Sequence, residues 1–561
     1  MQGFADFFDS LLGGAILVAL SVALGGVVFA LLVVPREAAV AAAAARTRCA
    51  ALIARAALAL GVCQLAALGL KVMLLSGYVG PDAFPRYLGT LQCRAGLCRA
   101  ALAFALAGAA AWARRRPDAT APWIAAAVLA AATAVSGAWL VHAAGLLEQR
   151  GALMALTVLH QVGAATWAGG LICLGALWRL GRRDAAVGAL WATLVARFSW
   201  LALGAVVGLC AMALPLAWVY VGSWDGLVGT GYGSLVATKA FLLAATLVLA
   251  AGNLAAVRGL RRRGALAVLR ARVPYLLEAE TILAIVLLFA AASLSSQPPA
   301  RDITSERATV AEVVEVFRPK IPSLRTPSVD TMLHTTSDPY AAVGGQRTHA
   351  AYSWSNFSHN VAGVVLLAMS LLALTAGRPG LHWARHWPLG IALLGVFVFL
   401  RSMAVDAVWP FGPRAFWATT LANSEDLQHR LAGVLAITLG LVEWRARLAE
   451  RRAGRLAYVF PVLAAAGGLL LLTHAHVAFE QKSNYLVQVT HTTMGALAVL
   501  LGCLRLLELR LASPAGRAAG FASSVAMLLI ALVLVFYREA NVVVPDAATA
   551  AAPGPPAVVR R

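Results

Sequence analysis

Thr157–Leu180, TVLHQVGAATWAGGLICLGALWRL, is long enough to cross a bilayer and carries a histidine near its start. About 20 consecutive apolar residues span roughly 30 Å of hydrocarbon as a helix. His160 and Trp167 are seven apart and share one helix face. Gly163, Gly169 and Gly170 let neighbouring helices come close. An imidazole at membrane depth is costly without a partner, which marks His160 as a candidate functional residue. A histidine that only bonds the next helix is the other reading.

The rest of the chain repeats that pattern. Its 561 residues are 61% hydrophobic and 13% charged, with a mean hydropathy of +0.78. Continuous apolar runs, with no period-two alternation, predict an all-α polytopic helical membrane protein and exclude a barrel. About fourteen transmembrane spans are expected, near 11–34, 50–75, 96–113, 122–147, 152–178, 198–221, 234–257, 275–297, 357–376, 388–408, 427–444, 456–476, 485–506 and 519–537. The first run, Leu11–Val34, is too long for a signal-peptide core and has no basic flank before it, so it reads as a retained helix.

Loop charge sets the orientation. Arginines crowd alternate connections, as in Arg114–Arg116, Arg261–Arg263 and Arg451/Arg452, and these connections hold more than half of the 46 basic residues. The opposite short loops hold few. The positive-inside rule places the basic side in the cytoplasm and both termini outside it. The formal charge of +21 is therefore a topology signal, and no nucleic-acid role is expected. One outer connection, 298–356, is long, polar and Pro-containing. It divides the chain into 1–297 with eight spans, the loop 298–356, and 357–540 with six spans. Residues 541–561 form an Ala/Pro-rich tail that reads as disordered.

On this topology nine of the eleven histidines lie at or near the outer face. His142 and His160 belong to the first half, and His334 and His349 to the loop. His359, His429, His474, His476 and His491 belong to the second half; only His382 and His386 fall inside. Imidazole suits copper, zinc and iron, and added sulfur tilts a site toward Cu(I). Met494 follows His491 by three residues and shares its face; Met403 and Asp406 repeat that spacing, and Met332 lies near His334. The candidate metal set is His160, His142, His359, His429, His474, His476, His491, Met494 and Asp406. His474 and His476, two apart, cannot both point along one helix face.

Seven cysteines make no disulfide scaffold. Cys49, Cys63, Cys173, Cys210 and Cys503 read as core, while Cys93 and Cys98 offer a disulfide or a soft-metal pair. Glu278, Glu280 and Glu443 read as helix-end residues or as partners of nearby arginines. There is no Walker loop, CxxCH, HExxH or Ser/His/Asp arrangement, so an enzyme is not expected.

Four pieces of the first half, LHQVGAATWAGGL (159–171), RFSWLAL (197–203), LVGTGYGSLVATKAFLLAATLVLAAGN (227–253) and EAETILAIVLLFAAASLSSQPPA (278–300), resemble the bacterial CopD copper-resistance membrane family in order and content. The second half is similar to an extension on some CopD-like proteins, through FSHNVAG, HWPLG, VWPFGP, DLQHRLAG, LLTHAHV and THTTMG. The resemblance implies copper movement across the bacterial inner membrane, with a CopC-type periplasmic copper-binding protein as a possible partner. His160 and Trp167 match the family's His/Trp helix. No Met-rich periplasmic segment and no fused CopC-like sandwich accompany them. The expectation is copper uptake or transport and copper resistance, with metal captured by histidines at the periplasmic face and passed between helices near His160. The alternatives are a b-type haem (haem b) electron-transfer protein and a non-transporting assembly factor that holds copper.

Overall fold

The computed structural model describes residues 2–35, 39–80, 82–146, 148–263, 266–305, 307–328, 330, 349–376, 380–401, 420, 424–473 and 482–539. Eighteen α-helices lie in these residues. They are Gln2–Leu32 (α1), Ala39–Val79 (α2), Ala83–Leu88 (α3), Leu91–Arg115 (α4), Thr120–Gly137 (α5), Arg150–Gly181 (α6), Ala185–Ala189 (α7), Trp191–Val221 (α8), Trp224–Val228 (α9), Gly231–Arg263 (α10), Leu266–Ser296 (α11) and Val310–Phe317 (α12). After them come His349–Thr375 (α13), Pro388–Arg401 (α14), Ser424–Ala449 (α15), Val459–Leu472 (α16), Lys482–Arg510 (α17) and Ala515–Val535 (α18). Thirteen described helices are long and apolar enough to cross a membrane. The protein is an all-α polytopic membrane protein.

The expected span 427–444 is the one missing from those thirteen. It lies within α15, which carries Asp426, Arg430, Glu443 and Arg447. Their charges are neutralised in place: Asp426 pairs with Arg430 at 3.3 Å, and Glu443 pairs with Arg447 at 2.7 Å and with Arg505 of α17 at 2.8 Å. Hydropathy under-reads a helix whose charges are paired inside the bundle.

Two boundaries moved for identifiable reasons. The expected span 50–75 is the middle of α2, whose Ala-rich start AVAAAAARTR is a strong helix former outside any apolar run. The expected span 122–147 stops being α-helical at Gly137, where a Cβ would meet the Arg99 guanidinium at 3.2 Å; His142–Gly145 then forms a short 3-10 turn.

Helix α1 packs against α2, α5, α6 and α11. At its crossing with α6, Gly25 and Gly169 let the two backbones touch: a Cβ on Gly25 would lie 1.9 Å from the Ala165 carbonyl oxygen, and one on Gly169 1.9 Å from that of Ser21. Small residues at such a crossing replace the hydrophobic drive that lipid cannot supply. Helix α11 lies against α1 and α6. Its other side meets α16 and α17, so Leu472, Ala496, Val499, Cys503 and Leu507 share one apolar core with Ala279, Leu283 and Leu277. Arg510 of α17 reaches Glu278 of α11 at 3.2 Å, the arginine partnership expected for that glutamate.

The outer segment carries more structure than its polar composition suggests. Helix α12 opens with a capping box, in which the Thr309 side chain and Glu312 satisfy each other's backbone N–H groups. Val316 and Ala308 pack on Tyr485, Leu486 and Val489 of α17. Glu312 also pairs with Lys482 at the start of α17. Farther on, the Ser323 N–H donates to Asn360 Oδ1 of α13, and Arg538 donates to the Ile321 carbonyl. Residues 307–323 thus run over one end of the second half, where α13 and α17 begin.

That strap has a defined pH response. The Lys482 ammonium bonded to it, with the Thr309 N–H, holds the Glu312 carboxyl at about 2, below its ordinary 4.5. A carboxyl depressed on folding contributes its full stabilisation above the ordinary value and loses it as pH falls toward the folded value. A nitroxide at the exposed Val314 should stay restrained at neutral pH and gain mobility only between about pH 4 and pH 2, as Glu312 protonates. Mobility that rises near pH 6 would show that another group holds the strap.

Cys93 and Cys98 are free thiols, Cys93 buried and Cys98 exposed. Five residues apart on α4, they point to different sides of the helix, so the disulfide or paired-metal reading does not hold. Cys49, Cys173 and Cys503 are buried and Cys63 and Cys210 partly so, as core residues should be.

Candidate metal-handling site

Helices α13 and α17 bring two of the predicted histidines together. The rings of His359 and His491 lie 5.8 Å apart, edge to face. Tyr537, just past α18, stacks on His359 at 4.0 Å and meets His491 edge-on at 6.2 Å. Each imidazole is oriented by its own helix. His359 Nδ1 lies 2.8 Å from the Ser355 carbonyl, and His491 Nδ1 2.9 Å from the Val487 carbonyl. A carbonyl oxygen only accepts, so both Nδ1 atoms carry the proton. The lone pair is then on Nε2 in both rings, the arrangement a metal-ligating histidine uses. Met494 is buried on α17, one turn beyond His491, adding a soft thioether on that face.

Two members of this cluster gave no sequence signal. Tyr537 and Glu539 follow the last span, where a tyrosine and an acid at a membrane interface look ordinary. In the fold the Tyr537 hydroxyl donates to Glu539 Oε1 at 3.1 Å, and the Ser355 hydroxyl donates to the same oxygen. Asn360 fixes this end of the chain by donating to the Leu534 and Tyr537 carbonyls at 3.0 and 3.1 Å. A carboxylate, a phenol and two imidazoles from three separated stretches therefore converge.

His429 lies on α15, within one turn of the Asp426–Arg430 pair, whose arginine also donates to the Phe399 carbonyl at 2.9 Å. His474, His476 and Asp406 lie outside the described residues, as do Met403, Met332, His334 and the tail 541–561. Among the described residues, no three His, Cys, Asp or Glu side chains form a group able to hold a metal.

In the first half, His160 Nδ1 faces the Leu209 carbonyl of α8 at 3.0 Å. The contact is close because Gly163, one turn on, lets α8 approach: a Cβ there would lie 3.1 Å from the Ala205 carbonyl. His142 packs edge-on against Tyr220 at 6.4 Å. Burial holds its imidazole below the ordinary value, which keeps it neutral, and its Nε2 has no hydrogen-bond partner among the described residues. The α8 contacts of the two histidines, Leu209 and Tyr220, are eleven residues apart, about 16 Å along the helix, so His142 and His160 do not form one site.

Trp167, on the His160 helix, points elsewhere. Its indole N–H donates to Glu280 Oε1 at 3.2 Å, and the Asn253 amide donates to Glu280 Oε2 at 2.9 Å. Glu280 is only 4% exposed. The expectation of a helix-end glutamate or an arginine partner fails here. Helix α11 begins at Leu266, so Glu280 lies fourteen residues inside it. The polar run LRARVP hides that early start. The carboxylate borders a cavity of about 210 Å³ between α6, α8, α10 and α11, with Trp167, Phe198, Ser199, Thr246 and Asn253 also on its wall.

Residues 192–294 match the family model for copper resistance protein D (CopD). The chain is CopD-like over this segment. The match covers α8 and α10 and all but the end of α11, and so contains Asn253, Glu280 and most of the cavity wall, whereas His160 and Trp167 precede it. The CopD match supports a role in copper resistance or transport, with the copper ion as the species handled. Comparisons with curated proteins and with solved structures give no match.

Proposed function

We propose that this protein carries copper across the bacterial inner membrane, with both termini on the periplasmic side. Copper is captured at the outer face by His359 and His491 and passes between helices near His160. In this reading 357–540 collects the metal and 1–297 conducts it. The observation that carries the reading is the pair of imidazoles on α13 and α17, each with Nδ1 tied to its own helix, in a chain with a CopD match. His429, His474, His476, Met494 and Asp406 are further candidate ligands at that face, and His142 is a second candidate contact in the first half. A CopC-type periplasmic protein is a possible donor.

Copper is favoured over haem b because the Tyr537 ring packs against both imidazoles, taking with a phenol the space that a macrocycle would need between or beside them. Purified protein should hold copper by elemental analysis and lack a Soret band. A holding or assembly role without transport would leave copper bound but not taken up by proteoliposomes. His160→Ala should lower the copper uptake rate roughly tenfold, about 1.4 kcal/mol, at unchanged protein level. Uptake that stays at the wild-type rate would remove His160 from the route.

A further inference from the structure

Glu280 is a buried carboxylate at membrane depth whose bonds come from neutral donors, the Trp167 indole and the Asn253 amide. Among the described residues no cationic side chain pairs with it. An isolated carboxylate is expensive in such a place unless it can neutralise by taking a proton. The neighbouring helices give it no other charge. Helix α6 offers Trp167 and, six residues on, Cys173, which is buried. Helix α10 offers Asn253; Lys239 lies fourteen residues, about 21 Å, toward the outer end, and Arg258 five residues toward the inner end. Helix α17 offers the buried Cys503, near the Ala279 carbonyl, and Arg510, which is held by Glu278. Helix α8 offers Ser199 on the cavity wall. Helix α1 carries only Asp6 and Asp9, both near its start, and α16 has no ionisable residue.

Two further features suit proton exchange. The cavity beside Glu280, about 210 Å³, is walled mostly by apolar side chains, but Glu280, Asn253, Ser199 and Thr246 give it a polar side where an entering water finds hydrogen-bond partners. Asn253 Oδ1 is buried without a hydrogen-bond partner among the described residues, while its Nδ2 serves the carboxylate. Rotation of the amide would exchange the two atoms.

We infer that Glu280 exchanges protons with the adjoining cavity and couples that exchange to movement of the cargo. In the charged state, Asn253 Nδ2 donates to the carboxylate. When the carboxylate takes a proton its charge changes from −1 to 0, and Asn253 turns its Oδ1 to accept the new O–H. Loss of the proton to the cavity reverses the turn. The inference rests on the copper-transport reading for its cargo but not for its chemistry.

Wild type, Glu280→Gln and Glu280→Asp in proteoliposomes, with Cu(I) and a clamped membrane potential, test it. One proton per copper ion makes each pH unit of imposed gradient worth about tenfold in the accumulation ratio. Wild type should follow the gradient, E280Q should ignore it, and E280D, which keeps an ionisable carboxyl, should follow it. Infrared difference spectra should show a protonated-carboxyl band that titrates in wild type, shifts in E280D and is absent in E280Q. Gradient dependence that survives in E280Q, or a wild type without that titrating band, overturns the inference. A wild type that moves no copper under any gradient refutes the transport reading instead, and the infrared band still decides whether Glu280 exchanges a proton.

Discussion

Replacing His359 and His491 together with alanine should weaken copper binding by about a hundredfold or more, or at least about 2.8 kcal/mol at 1.4 kcal/mol per tenfold. Each ring presents Nε2 as an acceptor because a carbonyl of its own helix holds Nδ1, so both are pre-oriented and no rearrangement cost offsets their loss. Loss of the outer support of a metal ligand alone typically costs about 10–100-fold, and removing the ligands themselves should cost no less. Competition against a chelator of known affinity measures it, with an unchanged unfolding midpoint confirming that the bundle persists. Wild-type affinity in the double variant would mean that the pair only fills a polar gap between α13, α17 and Tyr537.

The largest stability loss is expected from Glu443→Leu, about 3–5 kcal/mol. Glu443 is fully buried and holds two guanidiniums, Arg447 Nε at 2.7 Å and Arg505 Nη2 at 2.8 Å. Arg505 also pairs with Glu508 at 2.6 Å, and Arg447 lies over the Trp387 ring at 5.0 Å. Removing the carboxylate leaves Arg447 without its acid partner and Arg505 with Glu508 alone. Leucine approximates its volume, so the loss would be electrostatic rather than a cavity effect. Denaturation of the detergent-solubilised protein measures the change. A cost under about 1 kcal/mol would mean that the arginines are hydrated, as in an exposed pair.

These two sites differ in how far the sequence announced them. Hydropathy and arginine-rich loops led to the expectation that His359 and His491 lie at the same face, and the structure brings their rings together. Glu443 was legible as an acid near arginines on the inner side, and the structure supplies both partners. Glu280 was misread by the same reasoning. Arg270, Arg272 and Pro274 made the polar run look like the end of a span, whereas the helix continues through it and carries the glutamate deep among α6, α10 and α11. Tyr537 and Glu539 were invisible, since neither residue type is unusual after a final span. They matter only because α18 ends beside α13 and α17.

The sequence by itself determined the class of molecule. Twenty-residue apolar runs admit only helices across a bilayer, because every backbone N–H and C=O must be satisfied within the span. Through loop charge it also predicts on which side most histidines fall. The tertiary structure decided which of them meet. Helical periodicity relates residues within one span, but contacts between spans depend on which helices are adjacent, how they rotate and where small residues let backbones touch. Gly25 against α6 and Gly163 beside α8 set those approaches in the first half. That geometry leaves His160 facing a carbonyl of α8, places its helix-mate Trp167 on a buried carboxylate, and joins His359 to His491 across more than 130 residues of sequence.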